Sequence, residues 1–250
     1  MRLYATMLTI LLLAARGAAA EEALIVAGIG GQAPLAELQA DGTMGGLEAD
    51  LVGALCERLA RPCTMTVAPS WGDLLAGLRE GRYAIGYGGL SQGTLADLGI
   101  TASTIYLPLR ARWAVIAHLD GAADPLAQEN MRIGVIRGTP HAHWLEARLP
   151  QERLLRFADE EEMFLSLHTG TVDVVFGDGL LLWRDLLQGP LGKGVVLRGP
   201  DQAVEQDGLV LALRDDAALG EALDKALAAM ARDGTLADLV ARHLPGLPLP

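Results

Sequence analysis

The sequence has 250 residues, 51% of them hydrophobic, which is material for about one to two domains and excludes intrinsic disorder. Formal net charge is −11, from 20 Lys and Arg against 31 Asp and Glu. No basic cluster or basic-aromatic stripe interrupts that balance, so nucleic-acid binding is excluded.

The first twenty residues, MRLYATMLTILLLAARGAAA, join a positive Arg2 to an apolar run over Met7–Ala15 and an A-x-A site at Ala18–Ala20. This is the pattern of a cleaved export signal, with cleavage expected after Ala20. The apolar run is well short of the ~20 residues that a membrane span needs. Ala23–Ile29 then reads as a strand. Residues 46–60 read as a helix with Leu47, Leu51, Leu55 and Leu59 in an apolar stripe, ended by Arg61-Pro62. Cys63–Val67 has strand composition. Cys56 and Cys63 are the only cysteines, and an exported chain permits a disulfide between them. Such a bridge staples the helix end to the next strand, worth roughly 2–3 kcal/mol by loop closure.

Alternation continues downstream. Helices are expected over 71–80, 140–148, 159–168, 179–187, 216–232 and 235–243, and strands over 83–88, 113–117, 131–136, 172–176, 195–197 and 209–213. That order predicts an α/β fold with largely parallel sheets. Arg110–Trp113 and Gly199–Gly208 read as crossings between two lobes, with residues 21–111 plus 204–250 in the first lobe and 112–203 in the second. A cleft between the lobes would gather strand ends and helix N-termini.

Four turns carry candidate chemistry. Ser70-Trp71-Gly72-Asp73 is a capping box, in which Trp71 is either a packing staple or an indole platform on the cleft wall. Gly88–Thr94 is a glycine-rich turn whose free amides suit anions, followed by a second capping box, Thr94–Asp97. In Arg137–His141, Thr139 is a good N-cap and Pro140 a good first helical residue. His141 and His143 stand two apart on that helix and do not share a face, so no metal site is expected. Asp178, in Phe176-Gly177-Asp178-Gly179, is a cap or the partner of a ligand cation. Glu160–Glu162 reads as a solvated helix face. No catalytic constellation and no cofactor motif emerges, so the chain is not read as an enzyme.

Several segments resemble the bacterial extracellular solute-binding proteins of polar amino-acid ABC transporters, family 3: GLEADLVGALCERLARPCT, SWGDLLAGLREGRYAIGYGGLS, MRIGVIRGTP, GTVDVVFGD and LALRDDAALGEALDKALAAMARDGTLADLVARHL. The resemblance implies a two-lobed periplasmic-binding-protein fold of type II. Two crossing strands join the lobes, which close as a monomer on a small ligand and deliver it to an inner-membrane ABC permease. It implies that Trp71 stacks on the ligand, that Gly89, Ser91 and Thr94 belong to the first lobe's binding loop, that Thr139 meets the ligand carboxylate, and that Asp178 pairs with its amine. Some members also bridge cysteines at the spacing of Cys56 and Cys63. One departure stands out. The family's T-x-x-R arginine, which clamps the α-carboxylate, is absent, since Thr94 leads to Asp97 and no arginine follows until Arg110. The expected ligand is therefore amine-bearing or otherwise non-standard, and Asp97 hints at a cation. An alternative is a periplasmic accessory protein of a dehydrogenase, of the methanol-oxidation type, on the same fold. A dehydratase is also known on this fold, but it would need a general acid in the cleft.

Overall fold

A computed structural model of the chain describes residues 23–117, 125–199 and 208–247. Residues 1–20, read above as an export signal, lie outside the described residues, as does most of the expected crossing at 199–208.

The first lobe is built on a five-stranded sheet of β1 (Leu24–Gly28), β4 (Cys63–Val67), β5 (Ile85–Tyr87), β6 (Thr101–Ala102) and β14 (Ala212–Leu213), in the order β4-β1-β5-β14-β6. β1 runs parallel to β4 and β5, and β14 is antiparallel to β5 and β6. A short hairpin, β2 (Glu37–Leu38) with β3 (Met44–Gly45), follows β1. The second lobe repeats the plan with β8 (Ala111–Ile116), β9 (Ile133–Ile136), β10 (Leu154–Phe157), β11 (Val174–Asp178) and β12 (Val195–Arg198), in the order β10-β9-β11-β8-β12. Between the lobes, β7 (Leu107–Pro108) pairs antiparallel with β13 (Gly208–Leu209). The chain thus leaves the first sheet, builds the second and returns, giving the expected two-lobed α/β fold.

Helices cover both faces of each sheet, because successive strand residues point to opposite faces and both sets are apolar. In the first lobe Leu24 and Val26 face α1 (Leu47–Arg58), α7 (Ala217–Asp233) and α8 (Thr235–His243). Ala27 and Ile29 face α2 (Trp71–Arg79) and α3 (Gln92–Asp97). In the second lobe α4 (Pro140–Glu146) covers one face and α5 (Glu160–His168) the other. α6 (Gly179–Leu181) opens into a π turn over Leu182–Leu187 that presents Trp183 to the first lobe's core, where its indole Nε1–H donates to the Pro245 carbonyl at 3.0 Å. Gly234, at φ 88°, lets α7 turn directly into α8, a backbone region that favours glycine. Cys56, near the end of α1, is bonded to Cys63 at the start of β4.

Four expectations need correction. The sheets are mixed rather than largely parallel, each with two parallel and two antiparallel pairings, because the strands next to the crossings run against the others. The single strand expected over 209–213 is broken into β13 and β14, because the chain changes partner there, from the crossing to the first sheet; Val210 donates instead to Leu90. The strand expected over 172–176 is shifted to Val174–Asp178, which puts Asp178 in the ladder opposite Ala111. The capping box expected at Thr94–Asp97 does not open α3: Ser91 caps that helix by accepting from the Thr94 amide at 3.3 Å.

Candidate functional site

Every candidate turn follows the C-terminal end of a parallel strand: Ser70 after β4, Gly88 after β5, Thr139 after β9 and Asp178 at the end of β11. In open α/β sheets this is the edge where ligands bind. Both groups are tied to the crossings. Ser91 is bridged to Leu209 of β13, and the Gly179 amide donates to the Arg110 carbonyl at 2.8 Å, just before β8. The first-lobe and second-lobe turns thus flank the same connection. A recess of about 410 Å³ beside the disulfide, lined by Gly53, Met65 and Arg61, is at the opposite end of β4 and takes no part.

Trp71 is 39% exposed and lies over the glycine turn: a Cβ at Gly88 would come within 3.1 Å of its Cη2. Gly88 is what allows the indole to lie that close to the backbone. Ser70 caps α2 through the Asp73 amide at 3.1 Å. The second half of the box is not made, because the Asp73 carboxylate takes the Tyr83 hydroxyl at 2.7 Å and Arg82 at 3.3 Å. The cap is therefore Ser70's work, and Trp71 is left as an exposed ring. Ser91 Oγ lies 3.1 Å from Thr94 Oγ1, so these two hydroxyls form a pair at the start of α3. Asp97 ends that six-residue helix and is exposed, about 7–8 Å along the axis from its first residue. A long arginine side chain could span that length, but a carboxylate on one methylene cannot.

The loop's amides are not all free, contrary to the expectation from its glycines. The Gly89 N–H donates at 2.8 Å to Oε2 of Glu48, which the Leu stripe of α1 gave no reason to single out. Glu48 has no exposed surface, and its Oε1 accepts from the Tyr106 hydroxyl at 2.8 Å. Burial pushes its carboxyl up to about 7, against the opposing pull of Tyr106 and of the Gly89 and Gly88 amides. Burial and the nearby carboxylate in turn hold the hydroxyls of Tyr87 and Tyr106 above the usual phenol range. A sequence signal for Glu48 existed. It precedes Val52 by four residues and Leu55 by seven, placing an acid on the helix's buried side.

In the second lobe the polar groups serve their own helices. Thr139 Oγ1 accepts from the Ala142 amide at 3.2 Å and donates to the Ile136 carbonyl at 2.8 Å. Pro140, the first residue of α4, has no N–H to offer. His141 sits edge-on to Phe176, with ring centroids 5.8 Å apart, beside the stack of Trp113, Phe176 and Trp144. Asp178 Oδ1 accepts from the Leu181 amide at 2.9 Å and so caps α6, with the Arg184 guanidinium within electrostatic range. Arg137 is also exposed and donates weakly to the Phe157 carbonyl at 3.5 Å. Among the described residues no three His, Cys, Asp or Glu side chains are grouped to share a metal ion. No described helix is long and apolar enough to cross a membrane.

The model of the bacterial extracellular solute-binding proteins, family 3, matches residues 24–246. Among curated relatives, ABC transporter arginine-binding protein 1 of Escherichia coli K12 is 28% identical over 203 residues, covering 81% of this chain and 82% of the relative. The histidine-binding periplasmic protein of Salmonella typhimurium is 26% identical over 220 residues, 84% of this chain and 83% of that protein. The unliganded open L-cystine solute receptor of Neisseria gonorrhoeae has the same fold, with a TM-score of 0.73 at 16% identity over 90% of this chain and 94% of the receptor.

Proposed function

The chain belongs to the bacterial extracellular solute-binding proteins, family 3, and we propose that it is an exported, monomeric receptor that closes on a small amine-bearing solute and hands it to an inner-membrane ABC permease. Export would follow cleavage after Ala20. The relatives named above support an amino-acid-like scaffold, since they bind arginine and histidine. The ligand group that this cleft favours is the amine rather than the carboxylate.

The observation that carries this reading is the polarity of the first lobe's loop. The Gly89 amide, a donor that a carboxylate would use, is already held by the buried Glu48, and the turn from Thr94 to Leu109 supplies no arginine. Pro140 withdraws a second backbone donor on the opposite side. Against these stands Asp178, whose carboxylate would make a charge-assisted hydrogen bond to an ammonium group, worth about 1.5–3 kcal/mol. Trp71 would stack on the ligand and add a cation–π contribution of roughly 0.5–2 kcal/mol. Thr139, Thr94 and Ser91 would supply hydroxyl contacts. Asp97, at the far end of α3, is too short to substitute for the family arginine, so the cationic preference rests on Asp178 and on the loop. Closure would follow because a ligand touching both lobes binds the closed arrangement better than the open one.

Matched pairs that differ only in the α-carboxylate test the reading: arginine against agmatine, and lysine against cadaverine. Thermal-shift and calorimetric titration should show each amine binding at least as tightly as its amino acid. Consistently tighter binding of the amino acids, by tenfold or more, would sink the proposal.

A further inference from the structure

Glu48 lies outside the residues assigned to the ligand, yet its carboxyl group joins the Gly88–Ser91 loop to the connection between the lobes. We propose that Glu48 is a positioning and specificity residue for the cleft: by holding the Gly89 amide and the Tyr106 hydroxyl on one buried carboxyl group, it fixes the Gly88–Ser91 loop against the crossing and makes that loop favour cations over anions. The specificity half rests on the amine-receptor reading above.

The geometry spans three separate stretches of chain. Glu48 is on the first turn of α1, Gly89 is 41 residues further on, and Tyr106 is 58 residues further on. The Tyr106 amide donates to the Leu209 carbonyl at 3.0 Å, and Leu209 is also bridged to Ser91, so the same clamp reaches the outgoing crossing, the returning crossing and the loop. The groups that face the carboxyl are the Gly88 and Gly89 amides, Tyr106 ahead of β7 and Tyr87 of β5, and no Lys or Arg among them neutralises it. An acid kept only for stability would gain from a basic partner, because burying a charge without one is costly. Glu48 has hydrogen-bond donors instead, one of them the backbone of the loop itself. Two consequences follow. The Gly89 N–H is turned away from any ligand anion. The carboxylate also lies one peptide group behind the loop, in surroundings that screen it less than water does.

The test uses the mature protein and agmatine, whose two cationic groups stay protonated across the range examined. Amide NMR without ligand should show the Gly89 resonance titrating with a midpoint near 7, as the carboxyl behind it loses its proton, and Glu48→Gln should abolish that titration. Calorimetry should show wild-type affinity for agmatine rising roughly fivefold between pH 6 and 8, with a flat response in E48Q. A Gly89 resonance that titrates unchanged in E48Q, or one that is flat in the wild type and keeps its position in E48Q, would overturn the proposal. Should E48Q not fold, Tyr106→Phe, which removes the other bond to the same carboxyl, should move the Gly89 resonance, and an unmoved resonance would overturn the proposal. If agmatine fails to bind the wild type while the Gly89 titration is present and lost in E48Q, the amine-receptor reading fails and the positioning role stands.

Discussion

In the first lobe the Gly88–Ser91 loop is held from a distance: the Gly89 amide by Glu48, 41 residues away, and Ser91 by Leu209 on the returning crossing. In the second lobe the corresponding side chains cap their own helices, Thr139 through the Ala142 amide and Asp178 through the Leu181 amide, each three residues on, and the reach to the crossing is made beside them by the Gly179 amide on the Arg110 carbonyl. The difference assigns them different tasks. A cap fixes a side chain wherever its helix goes, so the second lobe presents a rigid acid and hydroxyl that move with it as a unit. The first lobe's loop depends on contacts that include both crossings, so its shape is coupled to how the lobes sit.

The largest effect expected from this contrast is on binding. Asp178→Ala should weaken agmatine affinity by a factor of about 100 or more, the loss expected when a charged partner is removed from a desolvated pair. Stability should fall by only about 1 kcal/mol, the usual worth of a cap. Calorimetry with a denaturant titration separates the two. Unchanged affinity with that same small loss of stability would make Asp178 a cap and nothing more.

The next effect is intermediate and depends on pH. Burial raises Glu48 from its ordinary 4.5 to about 7, so between those values the folded chain keeps a proton that the unfolded chain has released. The stability this contributes is complete below about pH 4.5 and is lost as pH rises through about 7. Glutamine does not titrate. The melting temperature of E48Q relative to the wild type should therefore rise from pH 5 to pH 8 and level off above. A constant difference across that range would mean that Glu48 is already ionised throughout.

The smallest effects test the contrast between local and distant support. Thr139→Ala should cost about 1 kcal/mol in stability, as removal of an N-cap does. Ser91→Ala should cost a similar amount. Of the two, only the Ser91 change should also speed hydrogen exchange at Gly89, since Ser91 shares that amide's loop. Equal exchange in both variants would remove the distinction.

The same contrast explains what could be read from the sequence. The alternating strands and helices, the Cys56–Cys63 staple and the caps at Ser70, Thr139 and Asp178 depend on neighbours within a few residues, so composition and spacing suffice to find them. Glu48 with Gly89 and Tyr106 depends on the way α1, β5 and the crossing pack together, and no local pattern encodes that. The one local trace, an acid on the buried side of an amphipathic helix, is hidden by the stronger Leu47, Leu51 and Leu55 stripe. Thr94 misled for the opposite reason. Its box is a sound local signal, but Ser91 three residues earlier offers an equally good cap at the point where the chain is bridged to Leu209, and tertiary contact decides between them. The break between β13 and β14 has the same origin, since an apolar run from Leu209 to Leu213 cannot announce that it will change partners midway.

In the proposed receptor an acid of the second lobe, Asp178, meets an amine of the ligand across this cleft. The most direct test is a crystal structure of the mature protein grown with agmatine, read for the distance from the ligand's primary ammonium nitrogen to the Asp178 carboxylate. The expected distance is about 2.7–2.9 Å, the range of a charge-assisted N–H···O bond, with Trp71 against the ligand. A ligand seated with its ammonium away from the Asp178 carboxylate would contradict it.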